Sequence, residues 1–210
     1  MSTTMKELSL DQLIEGRQKP LKNASDLIEE AEILLNSHRW ARAVFLACIA
    51  IEELGKYLII MGAIGRVLTG NMDWKKFWKR FRSHEEKTGN IMVFDAMIGP
   101  FVSAEDTLAS VRRAKRHTSD QEKEKLNSLY VDCTAEGFVL PMDHVNEKDA
   151  NKAVESAKAV LRFFREMENH VFSDMCADSI KPEMFADYEK WLQMLGGKAD
   201  DSDNTAQKGP

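Results

Sequence analysis

Cysteine is scarce: Cys48, Cys133 and Cys176 are the only three in 210 residues. An odd number without metal-ligand spacing excludes a disulfide framework and a cysteine-based zinc site, and a reducing cytoplasm is the expected compartment. Glycine is also sparse and falls mainly in breaks between apolar segments, with no Walker loop and no Gly-rich dinucleotide fingerprint after a strand. Nucleotide-binding folds of those types are thereby excluded. No His-Glu-x-x-His occurs, and no Glu is followed three residues later by His, so neither a zincin nor a ferritin-like dinuclear site is encoded. The chain opens polar without a secretory pattern, and no uncharged apolar run approaches the ~20 residues that span a bilayer. With 29 basic against 34 acidic residues there is no surplus of positive charge, so any polyanion site must be local.

The richest stretch is the apolar run from Ala43 to Ile51, which passes into Glu52-Glu53-Leu54-Gly55-Lys56 and turns apolar again through Tyr57 to Ile60. On helical spacing Phe45, Cys48, Glu52, Lys56 and Ile59 share one stripe, and Leu46, Ile49, Glu53, Tyr57 and Ile60 the next. Both glutamates therefore interrupt apolar faces. An ionised carboxylate is costly to bury unless paired, so the helix either balances Glu against Lys or uses the carboxylate. Glu52 and Lys56 have the four-residue order of a structural ion pair, which leaves Glu53 unexplained.

Periodicity elsewhere predicts an all-α chain. Ser9 and Gln12 form a capping box for a short helix carrying Leu10, Leu13 and Ile14. We read residues 1–20 as an N-terminal helix or arm, 21–145 as the helical core, 146–196 as C-terminal helices on the same core, and 197–210 as a disordered tail. Within the core, helices are expected from Leu21 to Leu35 and over about 39–64, packed antiparallel across a short break. A further helix from the N-cap Asp73 carries Trp74, Phe77, Trp78, Phe81, His84 and Ile91 and ends at Gly99-Pro100. A shorter helix with Leu108 and Val111 follows, then one capped by Ser119 and Glu122. Periodicity lapses near 130–141, which reads as an irregular segment or small hairpin. Asn146 and Asp149 open a long helix with Ala150, Val154, Ala157, Leu161 and Phe164 on its core face, and Pro182 begins a last one.

Basic residues cluster twice, at Lys75, Lys76, Lys79, Arg80, Arg82 and Lys87, and at Arg112 to Arg116. In the first cluster His84 and Lys87 adjoin a predicted buried surface. If that helix packs on the one bearing Glu52 and Glu53, a carboxylate can fix the His84 tautomer, as a general acid or base requires. The plain alternative is a hydrogen-bonded boundary histidine beside a solvated lysine.

The order of these features, Glu52-Glu53-Leu54-Gly55-Lys56, then Phe77-Trp78, Phe81, Ser83-His84 and Lys87, then Leu129-Tyr130-Val131-Asp132 with Gly137 and Pro141, resembles the AbiV family of phage abortive-infection proteins. That family is part of the HEPN superfamily of helical bundles, many of them ribonucleases. The resemblance covers roughly residues 20–145. It implies a metal-independent, cofactor-free, homodimeric endoribonuclease that takes RNA as substrate in infected cells, with a phage-encoded activator as a further partner and no membrane role. His84 would transfer the proton, Lys87 and Arg82 contact phosphate, Glu52 or Glu53 orient, Lys56 balance the acidic pair, and Tyr130 line the cleft. The superfamily's usual Arg and His, with four to six residues between them, are matched formally by Arg112 and His117, whereas the place where the motif aligns holds Lys125 and Tyr130. The chemistry has moved to His84, or stays with Arg112 and His117, or is lost; the first is favoured. A non-catalytic module, with Glu52, Glu53 and Lys56 specifying dimer pairing, is the competing reading.

Overall fold

The computed structural model describes residues 6–84, 87, 89, 122–135, 137–170, 172–173, 176 and 179–181. Expectations resting on Leu108, Val111, Arg112, His117, Ser119, Pro182 and the tail lie outside these residues. Helix α1 (Leu10–Gly16) starts with the predicted capping box, the Gln12 N–H donating to Ser9 Oγ at 3.2 Å and the Ser9 N–H to Gln12 Oε1 at 3.0 Å. Its Leu13 and Ile14 are buried, so the core already begins in α1. Helix α2 (Gln18–Asn36) takes Pro20 in its first turn, where a missing N–H costs nothing, and buries Leu21, Ala24, Ile28 and Ala31.

His38, in the left-handed region at φ 57°, turns the chain into α3 (Trp40–Leu68). This helix runs past Gly65, beyond the predicted end near residue 64, because its last turns remain packed: Ile64 and Gly65 are buried. Ala43, Ala47 and Ala50 give it a narrow face on which α2 lies closely. Helix α7 (Glu147–His170), opened by the reciprocal Asn146 and Asp149 bonds, brings Val154, Ala157, Leu161 and Phe164 against α2 and α3. These three long helices make the core, and each fully buried Leu, Ile or Phe stabilises it by about 1.5–3 kcal/mol.

Smaller elements decorate the ends. Helix α4 (Trp74–Arg82) is capped by Asp73, which accepts the Lys76 N–H at 2.9 Å. It stops there because Ser83 is extended (φ −77°, ψ 125°), so the expected helix through Ile91 is broken and His84 leaves the apolar stripe of Trp74, Phe77 and Phe81. Residues 122–127 form helical segment α5. The segment near 130–141 is a hairpin, with β1 (Asp132–Thr134) antiparallel to β2 (Gly137–Val139) and Cys133 opposite Phe138. The short helix α6 (Pro141–His144) leads to α7. Among the described residues the fold is all-α apart from this hairpin, and no helix is long and apolar enough to cross a membrane.

Candidate active site

Glu52 sits mid-way along α3 with its side chain 5% exposed, and the rest of the site is built around it. Oε1 accepts from Lys125 Nζ at 2.7 Å. Oε2 is 2.6 Å from His84 Nδ1 and 3.3 Å from Lys87 Nζ. Lys125 is held in turn by Glu122 at 2.7 Å, one helical turn back on α5. Lys87 and Lys125 are each only 7% exposed, whereas His84 is 59% exposed. The carboxylate is thus a buried hub, and the histidine is the part of the cluster that meets solvent.

Among the described residues, Glu52 and Glu122 bring two carboxylates to the cluster and Lys87 and Lys125 two ammonium groups. Burial works to raise the Glu52 carboxyl, but hydrogen bonds from Lys125 and His84, with the charge they carry, hold it below the ordinary carboxylate range. Burial likewise works to lower the Lys125 ammonium, and its bonds to Glu122 and Glu52 hold it above the ordinary lysine value. An ionised carboxylate only accepts, so the contact to His84 requires a proton on Nδ1. In a neutral ring so held, the lone pair lies on Nε2, on a side chain open to solvent, which is the arrangement a general base needs.

Gly55 explains how the helical residues His84 and Lys87, which follow the break at Ser83, come so near. A Cβ at this position would lie 2.1 Å from the Lys87 carbonyl oxygen, so only glycine lets that backbone rest on α3. The Gly in the Glu-Glu-Leu-Gly-Lys segment is therefore part of the site's construction.

The other sequence-selected residues divide. The ion pair of Lys56 is with Glu53 at 2.5 Å, three residues back, and not with Glu52 as the four-residue spacing suggested. That exchange is physical: Glu52 points toward the deeper cations from neighbouring segments, while Lys56 swings outward with Glu53 and lies 5.6 Å from the Phe81 ring centre. Arg82 is exposed and stacks over Trp78 at 5.5 Å. Tyr130 is exposed just before the hairpin and lies outside the Glu52 cluster. Glu122 and Lys125 join the site from outside the residues that the sequence singles out for chemistry, and their three-residue helical spacing is the signal that points to them. Burial first, then Glu124 and the other carboxylates, push the thiol of Cys48, one turn before Glu52, up to about 12, which disfavours the reactive thiolate.

A second buried cluster escaped sequence reasoning altogether. Glu168 accepts from Tyr57 Oη at 2.7 Å, from Arg17 Nε at 3.1 Å and from Gln18, and Arg17 also donates to the Ile14 carbonyl at 2.6 Å. Its clue was Glu168 falling on the Leu161 and Phe164 stripe.

The family model described as AbiV, of HEPN type, matches residues 12–162, most of the chain. The chain belongs to the AbiV family. It is accordingly an HEPN-type abortive-infection defence protein. The match begins within α1 and ends within α7, so all of the Glu52 cluster lies inside it. No curated protein and no solved structure matches the chain.

Proposed function

We propose that this AbiV-family chain is an endoribonuclease toxin that cuts RNA in the cytoplasm of phage-infected cells, acting as a homodimer and released by a phage-encoded activator. The observation that carries the reading is the His84–Glu52 contact, which pairs a buried, ionised carboxylate with an exposed imidazole. In this chemistry His84 Nε2 takes the proton of a ribose 2′-hydroxyl, and the 2′-oxygen bonds the adjacent phosphorus. The bond to the 5′-oxygen breaks, and that oxygen takes up a proton from a general acid, leaving a 2′,3′-cyclic phosphate and a 5′-hydroxyl. Glu52 orients the ring and stabilises the imidazolium. Lys87 and Lys125 neutralise Glu52, since both are spent on it in the buried cluster. Arg82, exposed two residues before His84, is the phosphate contact. Glu53 and Lys56 form a flanking pair, and Tyr130 belongs to the cleft through the dimer.

The test is incubation of purified protein with total cellular RNA, with and without phage lysate. Cleavage by the wild type that is lost in His84→Ala supports the assignment; full cleavage and toxicity in folded His84→Ala and Lys87→Ala proteins overturn it. The buried lysines paired with Glu52 also favour a second reading, a non-catalytic module whose polar core specifies dimer pairing. Under it, charge reversal at Glu53 abolishes the dimer seen by size exclusion, and no preparation cuts RNA.

A further inference from the structure

Helix α4 carries five basic residues, Lys75, Lys76, Lys79, Arg80 and Arg82, and no acidic one, in a chain whose net charge is −5. All its exposed positions, 75, 76, 79 and 82, are lysine or arginine. Its other side is already occupied: Phe77 is buried, and Trp74, Trp78 and Phe81 pack against the core. Those aromatics are therefore not available to enter a lipid surface, which removes the apolar half that an interfacial helix requires. What faces outward is a cationic stripe. At 100° per residue Lys75, Lys79 and Arg82 fall on one line, whose ends are separated by a rise of about 10 Å. Along a stacked strand one phosphate recurs about every 3.4 Å of axis, so that line meets about three of them. At its C-terminal end Arg82 is steadied by stacking on Trp78, and the extended Ser83 then delivers the exposed His84.

We propose that the outward face of α4 is the track on which the sugar-phosphate backbone of single-stranded RNA lies, with Lys75 and Lys79 leading the strand past Arg82 to His84. This extends the ribonuclease reading above and rests on it for the placement of the cut at His84. The track holds backbone only, so it binds without base preference and in a salt-dependent manner.

The experiment separates binding from cutting. Full-length protein carrying His84→Ala binds fluorescein-labelled single-stranded RNA of mixed sequence, followed by anisotropy over a salt series, and is compared with the same protein carrying Lys75→Gln and Lys79→Gln. Two lost phosphate contacts make the slope of log K against log salt shallower by about 1.4 and weaken binding about 25-fold near ~0.1 M salt. Unchanged affinity and slope in a variant with the parent's circular dichroism overturn the proposal. So does a parent that binds no RNA, or one that binds anionic phospholipid vesicles through these lysines in place of RNA. If binding falls as expected while the His84-containing protein never cuts, the track stands and the ribonuclease reading fails.

Discussion

Glu52 survives in an apolar helix because each of its oxygens has a partner and the partners carry the opposite charge. Removing one cation from such a set leaves an uncompensated charge in a poorly hydrated place. Lys125→Met is expected to destabilise the fold by about 3 kcal/mol in urea denaturation. It should also alter the pH profile of RNA cleavage, because Glu52 loses the partner on Oε1 that holds it facing His84. The pH dependence of stability follows from the two displaced groups. Glu52 is held low in the folded chain, so as pH falls through about 4.3 the unfolded chain takes its proton first and stability is lost. Lys125 is held high, so its contribution is full below about 10.4 and is lost as pH rises through the folded value. The stability difference between wild type and Glu52→Gln should therefore be level through neutrality and shrink at the acid end. A difference that does not change with acid would contradict an ionised Glu52. Cys48, with its thiol held at about 12, should resist iodoacetamide at neutral pH in the native protein, while exposed Cys133 and Cys176 react. Mass mapping of the alkylated cysteines reads this directly.

At the scale of elements, the contact of α3 with the helical residues after Ser83 depends on one missing methyl group. In an exposed helix Gly→Ala stabilises by about 1 kcal/mol through propensity. At Gly55 the added Cβ would meet the Lys87 carbonyl at 2.1 Å, and overpacking costs about 1–3 kcal/mol, so the net effect of Gly55→Ala is a loss. The Lys87 backbone must retreat, carrying His84 from Glu52. Thermal denaturation should show the modest destabilisation and an RNA assay a much larger fall in cleavage; retained cleavage would mean that the His84 contact is dispensable. Local signals here were legible from residues alone. Ser9 with Gln12, Asp73, and Asn146 with Asp149 declare helix starts because capping is chemistry between neighbours in the chain. The break at Ser83 was not legible, since Phe81, Arg82 and His84 continue a helical pattern and only the seat on Gly55 gives the extended residue its reason.

Over the whole molecule, the ends of the described chain are joined through α3. Arg17, following α1, and Glu168, in the last turn of α7, meet Tyr57 of α3 inside the core. Deleting residues 1–17 should do more than trim an arm: it removes the Arg17 guanidinium, uncovers the apolar surface beneath Leu13 and Ile14, and leaves Glu168 without its cation. A cost of about 3–5 kcal/mol is expected from the charge alone, visible as a lower urea midpoint. A midpoint equal to that of the full chain would show that α1 does not contribute to stability.

The sequence by itself determined the three long core helices, the caps at Ser9, Asp73 and Asn146, the family and the anomaly of two carboxylates in an apolar run, because each of these is written in spacing and in chemistry between near neighbours. It also marked His84 and Lys87 as belonging with that anomaly. Only the tertiary structure decided which carboxylate takes which partner. A four-residue rule favours Glu52 with Lys56, but contacts from 32 and 73 residues away give Glu52 to His84 and Lys125 and leave Lys56 to Glu53. Buried charge is paired by whichever group the packing brings nearest, and for Glu52 that choice was made by the glycine that lets another segment's backbone rest beside it.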